Sequence, residues 1–100
     1  MKIDTSTILH ELDGKELVVD GKPVLLKTVL INALMHQSQE FMPTAEQSMR
    51  AYILGTLLST EKEVELNSED IVYIKARILK ISGPLIYGQI AQILEGKTEN

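Results

Sequence analysis

One hundred residues suffice for a single domain with one modest core, and a composition 44% hydrophobic and 24% charged, with three prolines, excludes a disordered tail. A net charge of −4 and an isoelectric point near 5.1 work against phosphate neutralisation, so nucleic acid is disfavoured as a partner. The lack of cysteine excludes a disulfide framework, a thiolate nucleophile and a cysteine metal site, and it permits a reduced, intracellular setting.

The chain opens with "MKIDTSTILHEL", whose acids stand where a signal peptide carries its apolar run. No stretch approaches the ~18 uninterrupted apolar residues of a membrane helix. A cytoplasmic protein with no membrane partner is expected. Next comes "ELDGKELVVDGKPVLL", in which Asp-Gly occurs twice, at 13–14 and 20–21. A two-residue type I′ turn needs positive φ at both central positions, and Asp and Gly accept it. Two such turns predict a small antiparallel meander over about 7–25, with strands near 7–12, 15–19 and 22–25 and Pro23 opening an edge strand. A calcium loop would need closely spaced oxygen ligands and a distal bidentate acid. Asp13 and Asp20 stand alone among Leu, Val and Lys.

The apolar period then changes from two to 3.6. A first helix over about 26–37 places Leu26, Val29, Leu30, Ala33 and Leu34 on one side. Ile31 and Met35 form a second apolar stripe, so this helix is either sandwiched centrally or turned toward a partner. After Pro43, Thr44-Ala45-Glu46-Gln47 matches a capping box and starts a second helix over about 44–58. Its wheel groups Ala45, Met49, Tyr52, Ile53 and Thr56, while Leu54 and Leu58 lie opposite, making the carboxyl half apolar nearly all round. The strict alternation of "EVEL" at 63–66 predicts a short strand able to join the meander.

A third helix over about 68–81 follows an Asn67 or Ser68 cap, with Glu69 and Asp70 in its first turn and an Ile71, Ile74, Ile78, Ile81 stripe. Lys75, Arg77 and Lys80 toward its end suit the helix dipole more readily than a nucleic-acid patch. Ser82-Gly83-Pro84 breaks the chain, and a fourth helix over about 84–95 carries Ile86, Ile90, Ile93 and Leu94 on one side. Gly88 in its interior predicts close backbone packing, and the tail at 97–100 is expected to fray. The predicted fold is α+β: one domain over 1–100, a small antiparallel meander packed on three to four helices.

Catalytic patterns are absent from this layout. His10 and His36 belong to no HExxH, HxH or His-acid pattern, no serine sits in a nucleophile elbow, and there is no glycine-rich phosphate loop. No catalytic residue, metal site or cofactor is read from the chain. The tyrosines at 52, 73 and 87 are too dispersed for a base-stacking platform.

In its order of elements the chain resembles a group of small, functionally uncharacterised bacteriophage and prophage proteins. The residues that carry the resemblance are "LDGKELVVDGKPVLLKTVLINAL", "VELNSEDIVYIK" and the closing "GPLIYGQIAQILEG". It implies a viral or prophage setting and no catalytic residue. The expected role is a non-enzymatic interaction protein: an assembly factor, a minor structural component or a modulator of a host protein. The expected partners are a second copy of the chain, as a dimer or larger closed assembly, and another phage or host protein. Surplus apolar residues Ile31, Met35, Leu54 and Leu58 are the interaction candidates. The alternative is a nucleic-acid-associated regulator using Lys75, Arg77 and Lys80.

Overall fold

A computed structural model describes residues 1–37 and 42–96. Its elements run β1 (Lys2–Asp4), β2 (Val18–Val19), β3 (Lys22–Pro23), α1 (Leu26–Met35), α2 (Ala45–Thr60), β4 (Glu63–Glu65), α3 (Ser68–Ile81) and α4 (Pro84–Leu94). Short antiparallel strand pairs pack with four helices, an α+β fold. The tail at 97–100 lies outside the described residues.

The turns at 14 and 21 differ in kind. Asp20 and Gly21 both adopt positive φ, 54° and 77°, as a type I′ turn between β2 and β3 requires. At the first Asp-Gly only Gly14 does, at 93°, and its N–H donates to the Glu11 carbonyl to close a four-residue turn. The flanking segments pair as a ring rather than as an open meander. Leu9 N–H donates to Val24 O at 2.9 Å, Val24 N–H to Leu17 O at 2.8 Å, and Leu17 N–H to Leu9 O at 2.9 Å. Each segment therefore meets both others, which buries Leu9 and shortens the strands from those expected.

The strand at 63–66 does not join this ring. Glu63–Glu65 pairs antiparallel with Lys2–Asp4, a strand without a sequence signal, in the register Lys2↔Glu65, Ile3↔Val64, Asp4↔Glu63. The alternation still holds, since Ile3 and Val64 point inward and the charged neighbours outward.

α1 packs against both α2 and α3 and carries no capping side chain, no acid in its first turn and no base in its last. Distant parts of the chain serve its termini instead. At the amino end, Leu26 N–H donates to Thr7 O at 2.7 Å and Lys27 N–H to Thr5 O at 3.1 Å. The carbonyls at the carboxyl end are taken by Arg77, which lies on α3 at 1% exposure. Its Nε donates to Ala33 O at 3.0 Å, and its Nη2 donates to Leu34 O and His36 O. The guanidinium also lies 5.7 Å from the centre of the Tyr73 ring. Arg77 therefore does not stand with Lys75 and Lys80 as a group at the end of α3: it lies on the buried side of that helix, which brings its donors to the last turn of α1.

α2 and α3 are capped locally. Thr44 and Gln47 form the expected reciprocal capping box, and Asn67 forms the same device with Asp70. Gly88 departs from expectation, since an added Cβ there would meet nothing within 4 Å. It lies on the exposed side of α4, so no neighbour approaches its backbone.

Candidate interaction surface

The four candidates separate when placed in the fold. Leu54 and Leu58 are fully buried, with Ala51 and Gly55, on the inner side of α2. This corrects their selection as surface residues: α2 packs on α1 through the very side that its wheel set opposite the larger apolar group. Ile31 is half-buried against the core, and Met35 is 50% exposed. The grouping Ala45, Met49, Tyr52, Ile53 and Thr56 faces outward.

The outer side of α2 is therefore an apolar surface that the core does not use. Met49 is 61% exposed, Tyr52 66%, Ile53 41% and Leu57 38%. From residue 51 to residue 60 the helix has no charged side chain, and its polar members are Thr56, Ser59, Thr60 and the Tyr52 hydroxyl. The hydroxyls of Thr56, Ser59 and Thr60 bond to carbonyls of their own helix, which leaves less of their polarity for water. Beside Tyr52 a shallow groove of about 190 Å³ runs between α1 and α2, lined by Ile31, Met35, Tyr52, Gly55, Thr56 and Ser59. Gly55 gives the groove its depth: an added Cβ would stand 3.2 Å from Met35 Cε.

Next to this surface a polar cleft of about 490 Å³ lies where the amino ends of α2 and α3 meet, walled by Glu46, Arg50, Glu69, Asp70 and Tyr73. Arg50 bridges it in a two-pronged ion pair, Nε to Asp70 Oδ1 at 2.8 Å and Nη2 to Oδ2 at 2.6 Å. Burial pushes the Asp70 carboxyl up. The hydrogen bonds from Arg50 and from Asn67 N–H, with the guanidinium charge, outweigh that and hold its pKa below the ordinary carboxylate value. The hydrogen bonds to Asp70 in turn raise the Arg50 pKa. The pair joins α2 to α3 and also completes the α3 cap, so its chemistry is spent on structure.

The basic residues of α3 disperse. Lys75 donates to Glu95 Oε2 at 2.6 Å, which raises its pKa, and Arg77 is interior. Only Lys80 of the three is left exposed without an ion pair among the described residues. His10 and His36 are both exposed and far apart in the chain, and the His10 backbone is gripped by the Gln89 side chain through bonds of 2.8 and 2.7 Å. Among the described residues no three His, Asp or Glu side chains gather to hold a metal ion, and no helix is long and apolar enough to cross a membrane.

Nothing in the sequence singled out Arg77 and Asp70 as interior charges. The apolar outer side of α2 was readable, but its identity as the outside was not. Comparison with family models, with curated proteins and with solved structures found no match to this chain.

Proposed function

We propose that this is a non-enzymatic interaction protein that offers the outer side of α2, and the groove beside it, to a protein partner. The observation that carries the reading is the run of Met49, Tyr52, Ile53 and Leu57, all substantially exposed, on a helix stretch from 51 to 60 that has no charge. Contiguous apolar surface of this kind is retained on small domains where something binds it. In a phage or prophage setting the role is that of an assembly factor, a minor structural component or a modulator of a host protein, working in the cytoplasm. The regulator reading is disfavoured by the ion pairing of Lys75 and the burial of Arg77.

A binding surface is dispensable to the monomer, whereas a core is not. Met49→Gln with Ile53→Gln, both changes to a good helix former, should lower unfolding free energy by less than about 1 kcal/mol in dilute solution near 1 µM. Leu54→Ala on the opposite side of the helix should cost about 2–5 kcal/mol. Urea unfolding followed by circular dichroism measures both. A loss of ~3 kcal/mol or more in the outer double variant would show that this side belongs to the core and would end the interaction reading.

A further inference from the structure

The outer side of α2 has two neighbouring apolar features. One is a ridge, Ile53 and Leu57, and the other is the groove between Tyr52 and Met35. A cavity of ~150 Å³ accepts a molecule as large as benzene, so the groove's volume of about 190 Å³ has room for one branched aliphatic side chain. A two-fold axis sets a patch against its own equivalent, so an apolar ridge lying on the axis is covered by the same ridge of a second copy.

Charge permits a second copy at this surface. The chain is acidic, with a net charge of −4, so two copies repel wherever their general surfaces approach. The stretch from 51 to 60 is free of charged side chains, and a second copy can approach it without opposing like charges. The one cation of α2, Arg50, is held by Asp70. Area suits a weak, reversible contact: at ~200 Å² for a fully exposed side chain of this size, Met35, Met49, Tyr52, Ile53 and Leu57 present roughly 500 Å² per copy, about 1,000 Å² for a pair, the low end of specific interfaces. Adjacent threonines and serines bring this toward the ~800 Å² per partner of a standard interface.

We propose that the partner is a second copy of this chain, docked with α2 antiparallel to its equivalent about a two-fold axis at Ile53. The proposal rests on the reading of this side of α2 as an interaction surface. In this arrangement Met49 of each copy lies opposite the partner's Leu57, and each Ile53 meets its equivalent. The antiparallel alignment also sets the two helix dipoles head to tail.

Sedimentation equilibrium from ~1 to ~500 µM tests the proposal, because an interface of this size and composition suits a dissociation constant on the order of 10 µM. The unmodified protein is expected to pass from monomer to dimer across that range. Ile53→Glu and, separately, Met49→Glu should each stay monomeric at the top of it while keeping their helical circular dichroism. Mixing Ile53→Glu with Ile53→Lys should restore a dimer containing one of each, since the axis places position 53 against itself. If Ile53→Glu fails to fold, Met49→Glu decides, as that side chain is 61% exposed. A monomer throughout, whether the surface serves a different protein or is covered by the chain's own segments, overturns the proposal. So does a dimer indifferent to both substitutions, or a charge-paired mixture that stays monomeric. The urea comparison of outer and inner α2 variants judges the underlying interaction reading separately, because it is made where a dimer is dissociated.

Discussion

α1 and α2 lie side by side and reach stability by opposite means. α1 is ten residues with no cap of its own, and its ends are served by the Thr5 and Thr7 carbonyls and by the buried Arg77. α2 is sixteen residues with a complete capping box, and it has apolar side chains left over on its outer side. Isolated helices as short as α1 are marginal in water, so α1 exists because the rest of the fold holds it. The contrast teaches that a substitution far along the chain should damage α1 most, while damage to α2 should stay near the altered residue.

Arg77→Ala should have the largest effect. It leaves carbonyls of Ala33, Leu34 and His36 without their donor and opens a cavity between α1 and α3, for a loss of about 3–5 kcal/mol. Against a total of about 5–15 kcal/mol, many such molecules would be unfolded near body temperature. Arg77→Lys should rescue little, because an ammonium lacks the planar fork that serves several carbonyls at once. Thermal unfolding measures the loss. Hydrogen exchange should show faster opening at 33–36, some forty residues from the substitution, and unchanged protection there would break the comparison.

Arg50→Ala comes second. Asp70 is 3% exposed and would lose its counter-charge, whereas Arg50 is itself 45% exposed, so the pair's value is reduced by solvent and the cost should be about 2 kcal/mol at pH 7. The pH dependence identifies the cause. Asp70 is held below its ordinary value in the folded protein, so its contribution is fully present above the unfolded value of about 3.9 and is lost as pH falls through the lower folded value. The gap between the two proteins should thus be widest above about pH 5 and shrink in the acid limb. A gap unchanged from pH 7 to ~2.5 would assign the loss to packing instead.

What was legible in the sequence divides along the same line as the two helices. The four helices, the caps at Thr44 and Asn67 and the Asp20-Gly21 turn are local signals, in which residues a few positions apart satisfy one another. The pairing of Lys2–Asp4 with Glu63–Glu65 and the reach of Arg77 to α1 are long-range, and neither has a local pattern. The inversion of α2 has a simpler origin. Both sides of that helix are apolar, so a hydrophobic period alone does not say which side is covered; the smaller Ala51 and Gly55 on the inner side allow close approach to α1. Gly88 was misread for a related reason, since glycine marks close packing only where a neighbour is present.

Thr44→Ala should have the smallest effect and sharpens the contrast most. In the capping box Thr44 Oγ1 accepts from Gln47 N–H at 3.0 Å, and the Gln47 side chain accepts from Thr44 N–H at 2.9 Å. Alanine removes the first bond and keeps the second, so one orphan N–H of the first turn passes to water. The box is exposed, and the expected cost is therefore about 1 kcal/mol, not the several assigned to a buried donor. The change should be confined to the first turn of α2, because Leu54 and Leu58 hold the rest of that helix to the core. Hydrogen exchange at Gln47 should quicken while exchange at 54–58 follows only the small global shift. Exchange spreading along the whole of α2 would mean that this helix, like α1, depends on what happens at its ends.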